Sequence, residues 1–252
     1  MGGSGRPPIP PASAPPAQPP SRSGGDLALL ALLQLTDGLF PAGGFAHSLG
    51  LETYCQAGLV KDRAGLEAFV RAHLDGSAGP SDAVAVATTV RRATADDLEG
   101  CLEVDARLHA MRVVPEFSAA SRQMGRQTLR IAAAWAKDPW LEGFAARVDA
   151  GTSPGHYAVA FGAAAGRAGV TAEPAVSAYL YATAAMLVNA ALRLFPIGQL
   201  EGQQTLAGLR PRIAALAGCA VAADLDDMWS FTPGLELAGL RHAELDMRLF
   251  RS

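Results

Sequence analysis

The sequence reads as an all-α protein: a single multi-helix domain over residues 26–252, preceded by a proline-rich tail over residues 1–25. Three observations carry this reading. Apolar residues recur at helical spacing, as at Leu66, Phe69, Val70 and Leu74, which places them on one buried face. Helix-start chemistry also recurs along the chain, with Asp62, Asp138 and the first-turn prolines Pro115 and Pro139. Strand evidence is poor: no stretch sustains an alternation of apolar and polar residues, and the Val-rich run over 83–90 is interrupted by alanine. No self-similar period points to a solenoid.

Taken in order, Asp26 caps a short helix through Leu35, ended by Thr36, Asp37 and Gly38. A Pro-Ala-Gly-Gly turn over residues 41–44 follows, and a helix is expected over 46–58. Asp62 caps the next helix. Residues 76–80 read as a turn, because Gly76, Gly79 and Pro80 break helices, and Ser81 starts an Ala/Val-rich helix to Arg92. Thr94 and Asp97 resemble a capping box that opens a helix through His109. Pro115 opens a long helix to Ala136, with Arg122, Arg126 and Arg130 as one solvated or partner-facing basic stripe. After a short helix from Pro139 and a loop over 151–155, two Ala-rich helices cover 156–168 and 173–195. Gly162 and Gly166, four apart, let a neighbouring helix approach closely. Helices over 199–217, 219–229 and 235–249 finish the chain.

At 252 residues, half of them apolar, one helical domain can bury a sufficient core. Only 18% of residues are charged, low for a solitary monomer, so apolar surface goes to a large core or a subunit interface. A net charge of −3 gives no electrostatic reason to expect nucleic acid, which normally requires a basic face. Cys55, Cys101 and Cys219 form no paired motif, which argues against a disulfide framework and a zinc site and fits a reducing cytoplasm. The tail, with eight prolines among Ala, Ser and Gly and no apolar run, is expected to be disordered and is not a signal peptide. Residues 175–194 are apolar enough to suggest a membrane span. They also carry Tyr179, Asn189 and Arg193 and much alanine, so a buried helix is expected and no membrane.

The most specific string is Leu-Phe-Pro-Ala-Gly-Gly-Phe-Ala-His-Ser-Leu-Gly-Leu-Glu-Thr-Tyr over residues 39–54. On a helix through 46–58, His47 and Tyr54 share one row and Ser48 and Glu52 the next, with Phe45 aimed outward by the turn. Adjacent helical residues point about 100° apart, so His47 cannot serve Ser48 as a base, and no catalytic residue is assigned. The glycine turn lacks the Gly-Lys-Ser/Thr ending of a phosphate-binding loop. The five histidines lie on separate elements, so neither a metal site nor a cofactor is expected. Phe45, His47, Ser48, Glu52 and Tyr54 therefore read as a partner-contact surface.

Two more segments are distinctive: Phe-Pro-Ile-Gly-Gln over 195–199, and the run from Arg241 and His242 to Arg248, Leu249, Phe250, Arg251 and Ser252. An apolar pair between arginines at the end of the sequence reads as a partner-binding tail over 240–252. Its removal is expected to leave the core intact. With the string over 39–54, these segments resemble the UreF family of urease accessory proteins, over nearly all the chain except the tail at its start. Position 45 is Phe where the family often carries Tyr. The resemblance implies a homodimer bridging a nickel-carrying GTPase and a scaffold accessory protein, docked on apo-urease, that regulates GTP hydrolysis during nickel insertion. It also implies that the end of the chain contacts the scaffold and that the region of Phe45 to Glu52 helps form the surface that receives the GTPase. Two other readings stand beside it: a small-ligand carrier or enzyme using a pocket near His47 and Glu52, and a dimeric adaptor unrelated to urease.

Overall fold

The computed structural model describes Met1 and residues 24–252, and these form helices with no strand among the described residues. The expected disordered tail over 1–25 lies almost wholly outside them. Helix α1 (Gly24–Thr36) begins two residues before Asp26 and buries Leu32 and Leu35. Asp62 caps α3 (Arg63–His73), which follows the short α2 (Leu51–Gln56), by accepting from the Gly65 amide at 2.8 Å. The same device starts α5 (Leu98–Ala110), where Asp97 accepts from Gly100, and α7 (Pro139–Asp149), where Asp138 accepts from Trp140. Thr94 is not part of a capping box. It sits at the end of α4 (Val84–Thr94) and bonds back to the Val90 carbonyl.

The expected turn over 76–80 is instead a π-helical segment, Leu74–Ala83, which carries α3 into α4 without a break. The wide turn frees carbonyl groups that need donors. The extended segment over 228–232 supplies them, with Phe231 N donating to Gly76 O at 2.8 Å and Trp229 N to Pro80 O at 3.3 Å. Sequence punctuation there was real, but tertiary partners absorbed it.

The long helices build the core. Helix α9 (Ala172–Leu194) packs against α4, α8 (Tyr157–Arg167) and α10 (Gln199–Ala222), while α6 (Pro115–Ala136) packs against α7 and α8. By length and composition α9 could cross a membrane, yet Val176, Leu180, Leu187 and Val188 are all buried in this core. Each such side chain contributes about 1.5–3 kcal/mol. The close approach expected at Gly162 and Gly166 is present: a Cβ on Gly162 would lie 2.9 Å from the Val86 carbonyl of α4. Near the end, α10 runs unbroken through Gly218, a 3-10 turn follows at Leu225–Asp227, and α11 (Pro233–His242) stops seven residues before the expected end at 249.

Candidate functional site

The string over 39–54 does not form the expected helix. A 3-10 turn, Gly44–Ala46, leads into extended backbone at His47, and Leu49 (φ 50°) and Gly50 (φ 87°) then turn left-handed before α2 begins. Glycine removes the steric cost at the second of these positions. His47 and Ser48 are therefore off the helix, and the expected rows of His47 with Tyr54 and Ser48 with Glu52 do not exist. Tyr54 packs edge-on against Phe69 at 5.1 Å between ring centroids.

What organises the region is the end of the chain. Residues 243–252 leave α11 and run back over α2, and the buried Glu52 carboxylate holds them. Its Oε1 accepts from Leu249 N at 2.7 Å, and its Oε2 accepts from Phe250 N at 3.1 Å and faces His242 Nε2 at 3.1 Å. The other ring nitrogen of His242 lies 2.7 Å from Glu116 of α6, which Arg248 also reaches at 3.2 Å. Further along, Arg251 N donates to Ala46 O, while Ser48 N and Leu49 N donate to Ser252 O at 2.6 and 3.1 Å. Ser48 Oγ donates to the same oxygen, and Ser252 Oγ sits 2.9 Å from His47 Nδ1. Phe250 is buried beneath the Arg193 guanidinium, 4.3 Å from its ring centroid, and Arg193 also donates to Phe45 O at 2.8 Å.

This corrects the expectation of a tail free of its own domain. A carboxylate as buried as Glu52 requires donors; the tail supplies two amides and the end of α11 an imidazole. The expected contact residues divide accordingly. Glu52, His47, Ser48, His242 and Phe250 are buried in this latch of the tail onto α2 and offer a partner almost no surface. Phe45 is 78% exposed and Leu249 53%, and Arg241, Arg248 and Arg251 also face solvent. Glu52 as the hub, and Glu116 and Arg193 as its supports, were beyond sequence reasoning, because the partners of both glutamates, and Phe45 as a partner of Arg193, lie more than 100 residues away. The signal available was a lone Glu in an otherwise apolar stretch.

Beside the latch lies a cavity of about 680 Å³, bordered by His47 on one side and by Asp82, Arg112, Tyr179, Met124 and Met186 elsewhere. Asp82, on the π-helical segment, pairs with Arg112 and accepts from the Tyr179 hydroxyl at 3.1 Å. Burial pushes the Asp82 carboxyl up, opposed by Arg112 and the Tyr179 hydrogen bond, and raises Tyr179 well above its ordinary value. Burial, with Arg112 nearby, lowers His73 to about 4. His47 is lowered by burial and by Arg251, and its Nε2 has no partner among the described residues. Ser121, also on the cavity wall, is 3.0 Å from His156 Nδ1, whose Nε2 meets His109 Nδ1 at 3.0 Å. Burial, then Arg112, holds His156 down to about 3. Among the described residues no three His, Cys, Asp or Glu side chains come together as a metal site.

The sequence model of a protein family described as UreF matches residues 60–210. The chain is 35% identical over 223 residues to the urease accessory protein UreF of Paenarthrobacter aurescens (strain TC1), covering 88% of this chain and 97% of the relative. It is 37% identical over 226 residues to that of Methylorubrum populi, covering 90% and 98%, and 31% identical over 224 residues to that of a Bacillus species (strain TB-90), covering 89% and 99%. The chain belongs to the UreF family of urease accessory proteins.

Proposed function

We propose that this family member works in the cytoplasm as a homodimeric adaptor for nickel insertion into apo-urease, bridging a nickel-carrying GTPase and a scaffold accessory protein. It regulates hydrolysis by the GTPase and performs no covalent chemistry itself. The observation that carries this reading is the latch. Glu52 fixes the course of the tail, so that Met247 and Leu249 stand out at 80% and 53% exposure, with Arg241, Arg248 and Arg251 around them. Apolar side chains held rigidly among arginines are a low-entropy docking surface. The scaffold binds there. The surface around Phe45 takes part in the dimer that receives the GTPase. His47, Ser48, Glu52, His242 and Phe250 serve the interface by holding the tail in place, with Tyr54 packed behind them.

Affinity purification of the tagged protein from cells making urease and its accessory proteins tests this. Wild type is expected to recover the GTPase and the scaffold together, and Met247→Asp with Leu249→Asp to lose the scaffold. Recovery of neither by wild type refutes the reading.

The cavity favours a second reading, a carrier of a small ligand held by Arg112 and Tyr179. Its volume suits a drug-sized molecule. A small molecule that raises the melting temperature of wild type, but not of Tyr179→Phe, would establish it.

A further inference from the structure

The exposed face of α6 carries the feature the latch does not use. Between Ala119 and Arg130 the helix has three arginines, Arg122, Arg126 and Arg130, and no acidic residue, on a chain whose net charge is −3. All three face solvent, while Met124, Gly125, Thr128 and Leu129 of the same stretch are buried. Internal pairing does little to neutralise them. Among the described residues Arg126 pairs only with Asp149, at 3.7 Å between two side chains more than half exposed, and Arg122 donates to the Pro154 carbonyl at 3.3 Å. Arg130 has no ion-pair or hydrogen-bond partner among the described residues. Close ion pairs are formed by other arginines of the chain, such as Arg112, Arg167, Arg212 and Arg248.

Two of the three, Arg122 and Arg126, line a groove of about 500 Å³ together with Gln123 and Gln127, opposite Pro41 and Gly43 of the glycine turn, and Arg130 lies four residues further along the helix. No acidic side chain lines it.

We propose that this groove and the turn of α6 beyond it dock an acidic segment of a partner protein, with Arg122 and Arg126 in the groove and Arg130 past its end meeting a row of carboxylates. The geometry selects a row over a single anion. Residues four apart on a helix advance about 6 Å, so the three arginines leave the helix over about 12 Å rather than from one point. That spacing matches acids at every fourth position of a helix, or at alternate positions of an extended strand, which advance about 6.6 Å. Arginine and glutamine supply directional donors to carboxylate oxygens, arginine in a bidentate fork. A nucleic acid presents charges at comparable spacing, but the groove lining holds no aromatic ring on which bases could stack. The proposal rests on charge and shape alone and stands apart from the urease reading.

Fluorescence anisotropy with the full chain tests it. The probe is a labelled alanine-based helical peptide with Glu at every fourth position, beside the same peptide with Gln in those places. At low salt the Glu peptide is expected to bind at least roughly ten-fold more tightly, and to weaken as salt is added. The triple variant Arg122→Gln/Arg126→Gln/Arg130→Gln should lose at least about ten-fold in affinity while keeping its circular dichroism and melting temperature. Arg210→Gln, an exposed arginine outside the groove, should bind as wild type does. Equal binding of the two peptides, or of wild type and the triple variant, overturns the proposal. So does a single-stranded oligonucleotide that outcompetes the Glu peptide, since it would make the stripe a nucleic-acid site. Because the peptide replaces every urease component, these outcomes are independent of the affinity purification above.

Discussion

The contact between α4 and α8 and the latch over α2 hold the same chain together by opposite means. The first is apolar and made of small residues: Gly162 and Gly166 bring two helices close enough that a single methyl group would collide with backbone. The second is polar and made of a few long-range bonds, in which one buried carboxylate gathers two amides and an imidazole from the end of the chain. A contact of the first kind fails when atoms are added. The second fails when one acceptor is removed, because buried donors are then left unsatisfied.

The largest effect should come from breaking the apolar contact. Gly162→Val sets branched carbon against the Val86 carbonyl and is expected to cost about 3 kcal/mol or more, or to prevent soluble expression. Urea denaturation measures it. Next comes the hub: Glu52→Ala leaves the Leu249 and Phe250 amides without their acceptor and should cost about 2–3 kcal/mol. Equal and small losses for both substitutions would erase the distinction between the two regions.

How much of this was legible in the sequence follows the same division. Helices whose faces are set by local periodicity, such as α3, α6 and α9, were found with their boundaries nearly right, and Gly162 announced its own close contact. The π-helical segment was missed, because Gly76 and Pro80 look like a turn until the chain over 228–232 supplies donors. The site was legible as a set of unusual residues but not as an arrangement. His47 and Ser48 were placed on a helix that Leu49 and Gly50 forbid, and nothing local to Glu52 reveals amides from nearly 200 positions away.

A smaller effect concerns pH. Burial lowers the His156 ring to about 3 in the fold, against an ordinary histidine near 6.5 in the unfolded chain. Between those values the unfolded chain binds the extra proton, so stability rises with pH across that window and is lost as pH falls through it. The raised carboxyls of Asp82 and Asp105 act in the opposite sense, so the informative quantity is a difference. From pH 6.5 down to 5, wild type should lose up to about 1.4 kcal/mol per pH unit more than His156→Gln, as read from urea midpoints. Parallel pH profiles would place this ring in solvent. Smallest of all, Phe45→Ala should change stability by less than about 0.5 kcal/mol, because the ring is largely exposed. A larger loss would mean that the ring packs into its own domain.

The most direct measurement is amide hydrogen exchange, resolved at single residues, on the isolated protein and on Glu52→Gln. With the tail latched as described, Leu249, Phe250 and Arg251 exchange slowly in wild type, because Glu52 and the Ala46 carbonyl accept from their amides. The substitution should release the first two while amides in α4 and α8 keep their protection. Exchange of all three at the rate of an unstructured peptide in wild type would contradict the latch and return the tail to a free segment awaiting a partner.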